Sequence, residues 1–136
     1  MGLHSSSGVL RYNLPTGNYG YRLAVEVDQA LVDYYLALIP KYKSATRQRY
    51  SAHISVVRRE VPTNLAVWGL YQGQEVEFFY ENVIREGLTY YWINVFSTRL
   101  EEIRTELGLP NTSPYAQPPD GFLKCFHMTI GNNKNG

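Results

Sequence analysis

Apolar and polar residues alternate along several short segments of this chain, and two longer segments have the period of an amphipathic helix. Alternation, together with β-branched and aromatic content, predicts strands over 21–27, 50–57, 75–83, 88–96 and 122–130. Asp28 begins a predicted helix that ends near Ile39, before Pro40. Ser97 begins a second helix, which ends at Gly108. The order β-α-β, two strands, then α-β indicates an α+β fold.

The length of 136 residues is typical of one domain, so we expect residues 1–136 to form a single unit with its own core. No apolar stretch is long enough to span a membrane, and the start "MGLHSSSG" lacks the apolar segment of a secretory signal. Cys125 is the single cysteine, which excludes an intrachain disulfide and fits a reducing compartment. We therefore expect a soluble cytoplasmic protein without membrane contact, with a flexible amino-terminal segment and a disordered "NNKNG" tail.

The charge is nearly balanced. Thirteen Lys and Arg against twelve Asp and Glu leave a net charge of +1. This balance argues against a protein that binds long nucleic acid by neutralising many phosphates. It is compatible with a small anionic ligand.

A short motif occurs twice in matching contexts. Each half of the chain contains a strand, then a helix, then a strand in which a histidine is followed two residues later by a hydroxyl side chain. The first copy is "AHISV", with His53 and Ser55, and the second is "FHMTI", with His127 and Thr129. Residues two apart in a strand lie on the same face. Two structural histidines in a plain α+β core are the simplest alternative interpretation.

A metal-binding site is another possible role for the residues around the second motif. Cys125 and His127 are two residues apart and could share a strand face, but a zinc site needs two further ligands. His4 lies in the segment expected to be flexible. Since no paired metal-binding spacing is present, we expect no metal and no cofactor.

Two H-x-[ST] strands, separated by about half of a small chain and each preceded by a helix, resemble the 2H phosphoesterase superfamily. The resemblance implies a bilobal, pseudo-symmetric fold in which two antiparallel sheets flank a central groove, with the helices outside. It also implies phosphodiester cleavage by in-line displacement. His53 and His127 would act as general acid and base, and Ser55 and Thr129 would hold the phosphate oxygens.

Within that superfamily, the stretches "NYGYRLAVEVD", "ALIP" and "RYSAHISVVRRE" are most similar to the phage anti-CBASS phosphodiesterases. This similarity implies cleavage of 3′–5′ linkages in cyclic di- and trinucleotide messengers of bacterial antiviral immunity, in the host cytoplasm if the protein is phage-encoded. Hydrolysis of 2′,3′-cyclic phosphate ends is one alternative. A nucleotide-binding module that sequesters its ligand without turnover is another.

Substrate-binding candidates are aromatic and cationic side chains near the two motif strands. Trp92 is a candidate for stacking on a nucleobase, and Tyr12, in an irregular lead-in, resembles an aromatic that the phage enzymes place over a base. Its alternative role is to cover one end of the sheet. Arg11 and Arg49 are candidates for phosphate contacts. Tyr115 lies in a Pro-, Asn- and Ser-rich loop over 110–121, which we interpret as a lid.

Overall fold

A computed structural model describes residues 2–14 and 20–133 of the chain. The strands are β1 Leu3–Tyr12, β2 Leu23–Glu26, β3 His53–Val57, β4 Glu75–Glu81, β5 Arg85–Glu86, β6 Tyr90–Phe96 and β7 Phe126–Asn132. The helices are α1 Gln29–Leu38 and α2 Thr98–Glu106, and 3₁₀ turns cover Lys41–Lys43 and Leu65–Val67. The predicted α+β class is confirmed. Neither α-helix within these two ranges is long and apolar enough to cross a membrane.

The seven strands of the described residues belong to one antiparallel sheet. Its order is β4-β1-β2-β3-β7-β6-β5, and a further pairing between β4 and β6 joins the sheet to itself. Phe79 of β4 is paired with Phe96 of β6 at this closure. Six strands therefore form a closed antiparallel barrel, with the short β5 attached to β6. The strands expected in two separate sheets are joined here.

Both helices begin as predicted, because a side chain of the preceding residue caps each first turn. Asp28 Oδ1 accepts a hydrogen bond from the backbone N–H of Ala30 at 2.9 Å. Ser97 Oγ accepts one from the N–H of Leu100 at 3.2 Å. Such caps satisfy backbone donors that the helix itself leaves free. The two N-cap predictions are confirmed.

One connected apolar core fills the space between the sheet and the helices. Alternate residues of the central strands supply much of it, and Leu23, Ile54, Ile93 and Met128 are fully buried. The helices contribute further side chains, namely Val32, Tyr35, Leu100, Ile103 and Leu107. Since successive strand residues point to opposite sides, the residues between these core positions are turned away from the core.

The amino-terminal segment is a strand, so the prediction of a flexible start is wrong. β1 pairs with β4 from Leu3 to Val9 and with β2 from Val9 to Tyr12. The polar stretch "HSSSG" hides this strand, because most of its side chains are exposed and show no clear alternation. Gly8 permits the close approach of β1 to β2, since a Cβ there would lie 2.4 Å from the carbonyl oxygen of Glu26. His4 is therefore a strand residue, stacked on Tyr80 at 5.5 Å between ring centroids.

The sequence predicts a disordered carboxyl-terminal tail from Asn132 onward. Asn132 instead ends β7, and its backbone exchanges hydrogen bonds with that of Thr46. The N–H of Asn133 donates to the carbonyl oxygen of Thr89 at 2.9 Å. Residues 134–136 lie outside the described part of the chain.

Candidate active site

The two motif strands are neighbours in the sheet. β3 and β7 are antiparallel, and Ile54 is paired with Met128. Both of these side chains are fully buried. The residues on either side of each point to the opposite face, where His53 and Ser55 of β3 lie beside Thr129 and His127 of β7. All four line one groove with a volume of about 790 Å³.

The flanking strands extend this arrangement symmetrically. On β2, Glu26 is paired with His53, and Ala24 with Ser55. On β6, Asn94 is paired with His127, and Trp92 with Thr129. The strand order β2-β3-β7-β6 is therefore symmetric about the contact between β3 and β7. Each histidine has a polar side chain as its neighbour on the outer strand.

A backbone contact orients His53. Its Nδ1 lies 2.7 Å from the carbonyl oxygen of Ser51. A carbonyl can only accept a hydrogen bond, so Nδ1 carries the proton and donates it. In the neutral ring, Nε2 is then the nitrogen with a free lone pair. In this tautomer, Nε2 can accept a proton.

His127 has a different environment. Its ring lies against that of Trp92, with 5.2 Å between the ring centroids and 31° between the ring planes. Desolvation by the surrounding groove walls and, to a lesser extent, the positive charge of Lys124 hold the pKa of His127 below its ordinary value. The neutral imidazole therefore predominates down to a lower pH in the free protein than it would for an ordinary histidine.

Positive charge is concentrated in the groove. Among the described residues, six cationic side chains and two carboxylates line it, which leaves four more positive than negative charges, whereas the whole chain carries +1. The cations are Arg11, Arg22, Arg49, Arg58, Arg104 and Lys124, and the carboxylates are Glu26 and Glu60. Low-dielectric walls around charges of one sign strengthen the local field, so this groove attracts anions.

Two of these cations have carboxylate partners. Arg11 Nε donates to Glu26 Oε1 at 2.8 Å, and both side chains are about half exposed, so this pair contributes little to stability. Arg104 is only 2% exposed and binds both carboxylate oxygens of Glu60 at 2.8 Å. The hydrogen bonds from Arg104 lower the pKa of Glu60. Arg104 is thus a structural cation, while the exposed Arg49 and Arg58 can meet a ligand.

The loop that we interpreted as a lid is fixed to α2 at both ends. Arg104 Nη2 donates to the carbonyl oxygen of Pro110 at 2.7 Å. Glu101 Oε2, on a side chain that is 5% exposed, accepts from the backbone N–H groups of Leu123 and Lys124. Between these anchors, Tyr115 is 97% exposed. The loop forms a wall of the groove, with one aromatic side chain projecting from it.

Four of the five predicted substrate-binding residues line the groove: Arg11, Arg49, Trp92 and Tyr115. Tyr12 does not. It ends β1, paired with Leu23, and its ring packs edge-on against Trp68 at 5.0 Å between centroids. Burial of its hydroxyl raises the pKa of Tyr12. The structure therefore gives Tyr12 a packing role beside the core.

Several residues that line the groove or lie beside it were not identified as candidates from the sequence. Tyr50, Arg58 and Lys124 line the groove although none was a candidate. Arg58 follows β3 directly and Lys124 lies three residues before His127, so proximity to the motifs was an available signal. Asn94 had no such signal, because its position beside His127 depends on the register of β6 against β7.

The described residues contain no group of three or more His, Cys, Asp or Glu side chains placed to hold a metal ion. Cys125, which was weighed as a metal ligand with His127, is a free, half-buried thiol at the groove wall. Its backbone N–H donates to Ser113 Oγ at 2.7 Å. Burial raises the pKa of this thiol, so the neutral form dominates near neutral pH.

Comparisons of the chain with protein-family models, with curated proteins and with solved structures found no match.

Proposed function

We propose that this protein is a metal-independent phosphodiesterase that cleaves 3′–5′ linkages of cyclic di- and trinucleotides. One observation carries the proposal: the two H-x-[ST] strands are paired neighbours, and His53, Ser55, His127 and Thr129 line one cationic groove. The resemblance of both motifs to the 2H phosphoesterase superfamily agrees with this arrangement. The similarity to the phage anti-CBASS enzymes suggests evasion of bacterial immunity in the host cytoplasm as the biological role.

The chemistry needs a base on the attacking oxygen and an acid on the leaving oxygen, on opposite sides of phosphorus. In this proposal one imidazole, in its neutral form, takes the proton of the attacking oxygen, and the other, as imidazolium, gives a proton to the leaving oxygen, each for roughly 10²–10⁴-fold of the rate. The hydrogen bond from His53 Nδ1 to Ser51 leaves Nε2 for proton transfer. Ser55 and Thr129 donate hydrogen bonds to the non-bridging oxygens, on which negative charge develops. The attacking oxygen belongs to water or to a 2′-hydroxyl of the substrate.

We also interpret the sheet as the two halves of a bilobal, pseudo-symmetric 2H fold. In this interpretation α1 precedes one motif strand and α2 precedes the other, and the symmetric order β2-β3-β7-β6 brings the halves together. The groove then lies on the pseudo-symmetry axis. Closure of the sheet through β4 and β6 is an addition to the two-sheet arrangement that the resemblance implies.

The extent of the groove favours a diester between two nucleosides over a terminal cyclic phosphate. Tyr50 and Tyr90 line it beyond one end of the histidine pair, and Arg58 and Lys124 line it beyond the other. A 2′,3′-cyclic phosphate end places a nucleoside on only one side of the reacting phosphorus. A cyclic dinucleotide places nucleosides on both sides and uses the whole groove.

The test is product formation from a panel of cyclic dinucleotides, a cyclic trinucleotide and 2′,3′-cyclic nucleotides. We expect linear products from the cyclic oligonucleotides. His53→Ala and His127→Ala should each abolish turnover while the affinity measured by calorimetry changes little, and the double variant should lose little more than either single one. The exposed Lys41→Ala variant, outside the groove, serves as the control. Full turnover by a folded histidine variant would leave only a binding module, and turnover confined to 2′,3′-cyclic nucleotides would select that alternative.

Dependence on metal is tested with the same assay. Because two histidines suffice for both proton transfers, activity should survive exhaustive treatment with EDTA. Loss of activity that zinc or magnesium restores would overturn the metal-independent mechanism.

A further inference from the structure

The two histidines are oriented by different kinds of contact. His53 is held by its hydrogen bond to the carbonyl oxygen of Ser51. Across residues 2–14 and 20–133, no hydrogen bond reaches a ring nitrogen of His127, and the ring has an exposed side. Its aromatic neighbour is Trp92, tilted by 31° at 5.2 Å between centroids. The orientation of the His127 ring therefore depends on packing.

Trp92 is itself fixed on two sides. Its Nε1–H donates to Asn94 Oδ1 at 3.1 Å, and Asn94 is only 3% exposed. Gly87 lies against the other end of the indole, since a Cβ at Gly87 would be 2.8 Å from Trp92 Cζ3. An indole with a satisfied N–H and a backbone against its edge has few other rotamers available. It is a rigid surface for a neighbouring ring.

The strand register places the indole of Trp92 beside the second H-x-[ST] motif, on β7. Trp92 is paired with Thr129 and Asn94 with His127, so both β6 side chains lie on the groove face of the sheet. Asn94 holds Trp92, and Trp92 packs on His127. These contacts lie within two adjacent strands, which makes the arrangement stiffer than one built from loops.

We propose that Trp92, held by Asn94, is a positioning residue that fixes the plane of the His127 imidazole in the groove. The inference rests on the proposed function, in which His127 transfers a proton. Without the contact to Trp92, an imidazole that has one exposed side and no hydrogen bond can turn about both of its side-chain torsions, and an error of 1 Å in placement costs roughly 10²-fold in rate. This role differs from the base-stacking role that the sequence suggested, because it acts on turnover and leaves substrate affinity nearly unchanged.

Kinetics with a cyclic dinucleotide separate the two roles. Trp92→Leu keeps an apolar side chain but removes the ring, and we expect kcat to fall about 10- to 100-fold with KM changed less than about threefold. Trp92→Phe keeps a ring plane but loses the hydrogen bond to Asn94, so its kcat should lie between those of Trp92→Leu and the unchanged chain. Asn94→Leu, which leaves the indole N–H without its acceptor, should lower kcat in the same direction. A raised KM with unchanged kcat in Trp92→Leu would overturn the inference and make Trp92 a base platform.

Trp68→Leu is the matched control. Trp68 also donates its Nε1–H, to the carbonyl oxygen of Asn13, and packs against aromatic rings, but it does not line the groove. The folded Trp68→Leu protein should keep the kcat of the unchanged chain. An equal loss of kcat in both leucine variants would indicate general destabilisation and would also overturn the inference.

A spectroscopic measurement tests the contact without any substrate. In NMR spectra, the ring protons of His127 should show a ring-current shift that Trp92→Leu removes and Trp68→Leu retains. His127 signals unaffected by Trp92→Leu would overturn the positioning role even if the enzyme is active. Absence of turnover on every substrate would instead remove the proposed function, so the two failures are distinguishable.

Discussion

At the scale of single residues, the environment of His127 makes a prediction about its titration. Groove walls and the Lys124 ammonium both disfavour the imidazolium. Lys124→Met removes the positive charge and keeps most of the side-chain volume. The pKa of His127 should therefore rise, but stay below its ordinary value because the desolvation remains. Titration of the His127 ring protons by NMR measures the change.

The control for this titration is Lys41→Met, since Lys41 is exposed and lies outside the groove lining. This substitution should leave the pKa of His127 unchanged. Because folding lowers the pKa of His127, the unfolded chain binds more protons between the two pKa values, and stability should decrease as pH falls through that window. A pKa that drops, or does not move, in Lys124→Met would contradict the assignment of Lys124.

The residues of the paired motifs could be predicted from the sequence, whereas the contacts that their neighbours make with them could not. A spacing of two in a strand already places His53 with Ser55, and His127 with Thr129. The packing of Trp92 on His127 depends on the pairing of β6 with β7, which no local pattern encodes. Tyr12 was misjudged for a related reason: its strand has few alternating apolar residues and is held by pairing with distant segments.

At the scale of secondary-structure elements, the two N-caps were equally visible in the sequence but are expected to differ in strength. Asp28 caps α1 with one hydrogen bond at an exposed position. Ser97 is 2% exposed, and besides accepting from Leu100 it donates to the carbonyl oxygen of Glu77 in β4. Its hydroxyl thus links α2 to the sheet.

Replacement of each cap by Ala tests this difference. Asp28→Ala should lower the free energy of unfolding by about 1 kcal/mol, the usual cost of losing a cap. Ser97→Ala should cost about 2 kcal/mol, because the hydrogen bond that links α2 to β4 is lost together with the cap. Denaturant unfolding at fixed pH measures both, and equal costs would show that the bond to Glu77 contributes nothing.

The sequence of α2 does not show that two of its charged residues are buried. In "TRLEEIRTELG", the charges of Glu101 and Arg104 predict exposed side chains, yet these are 5% and 2% exposed. Their partners are backbone groups and Glu60, far away in the sequence. Local periodicity identifies the helix but gives no information about such partners. The anchoring of the groove wall to α2 could therefore be recognised only in the folded molecule.

At the scale of the whole molecule, the distribution of charge predicts how ionic strength affects substrate capture. The groove lining formed by residues 2–14 and 20–133 carries an excess of four positive charges although the chain is almost neutral. We expect kcat/KM for an anionic cyclic dinucleotide to fall several-fold as KCl rises from about 50 to about 300 mM, because salt screens exposed charges. Steady-state kinetics at fixed pH measures this slope.

Single substitutions show whether the charges of the groove or the net charge of the chain cause this dependence on salt. Arg58→Gln removes a groove charge and should reduce both kcat/KM and its dependence on salt. Lys41→Gln removes the same charge outside the groove and should change neither. An equal effect of the two variants would indicate that only the net charge matters.

The pairing of β3 with β7 also has a consequence for folding kinetics. It joins residues about 70 positions apart, since Ile54 meets Met128, whereas the β4 to β6 closure joins Phe79 to Phe96. Closing a longer chain loop costs more entropy, and contacts between distant segments slow folding. The groove is thus created by one of the least local encounters in the chain, and during synthesis it cannot exist until the last strand has emerged. Recovery of binding activity on refolding should therefore lag behind the formation of secondary structure.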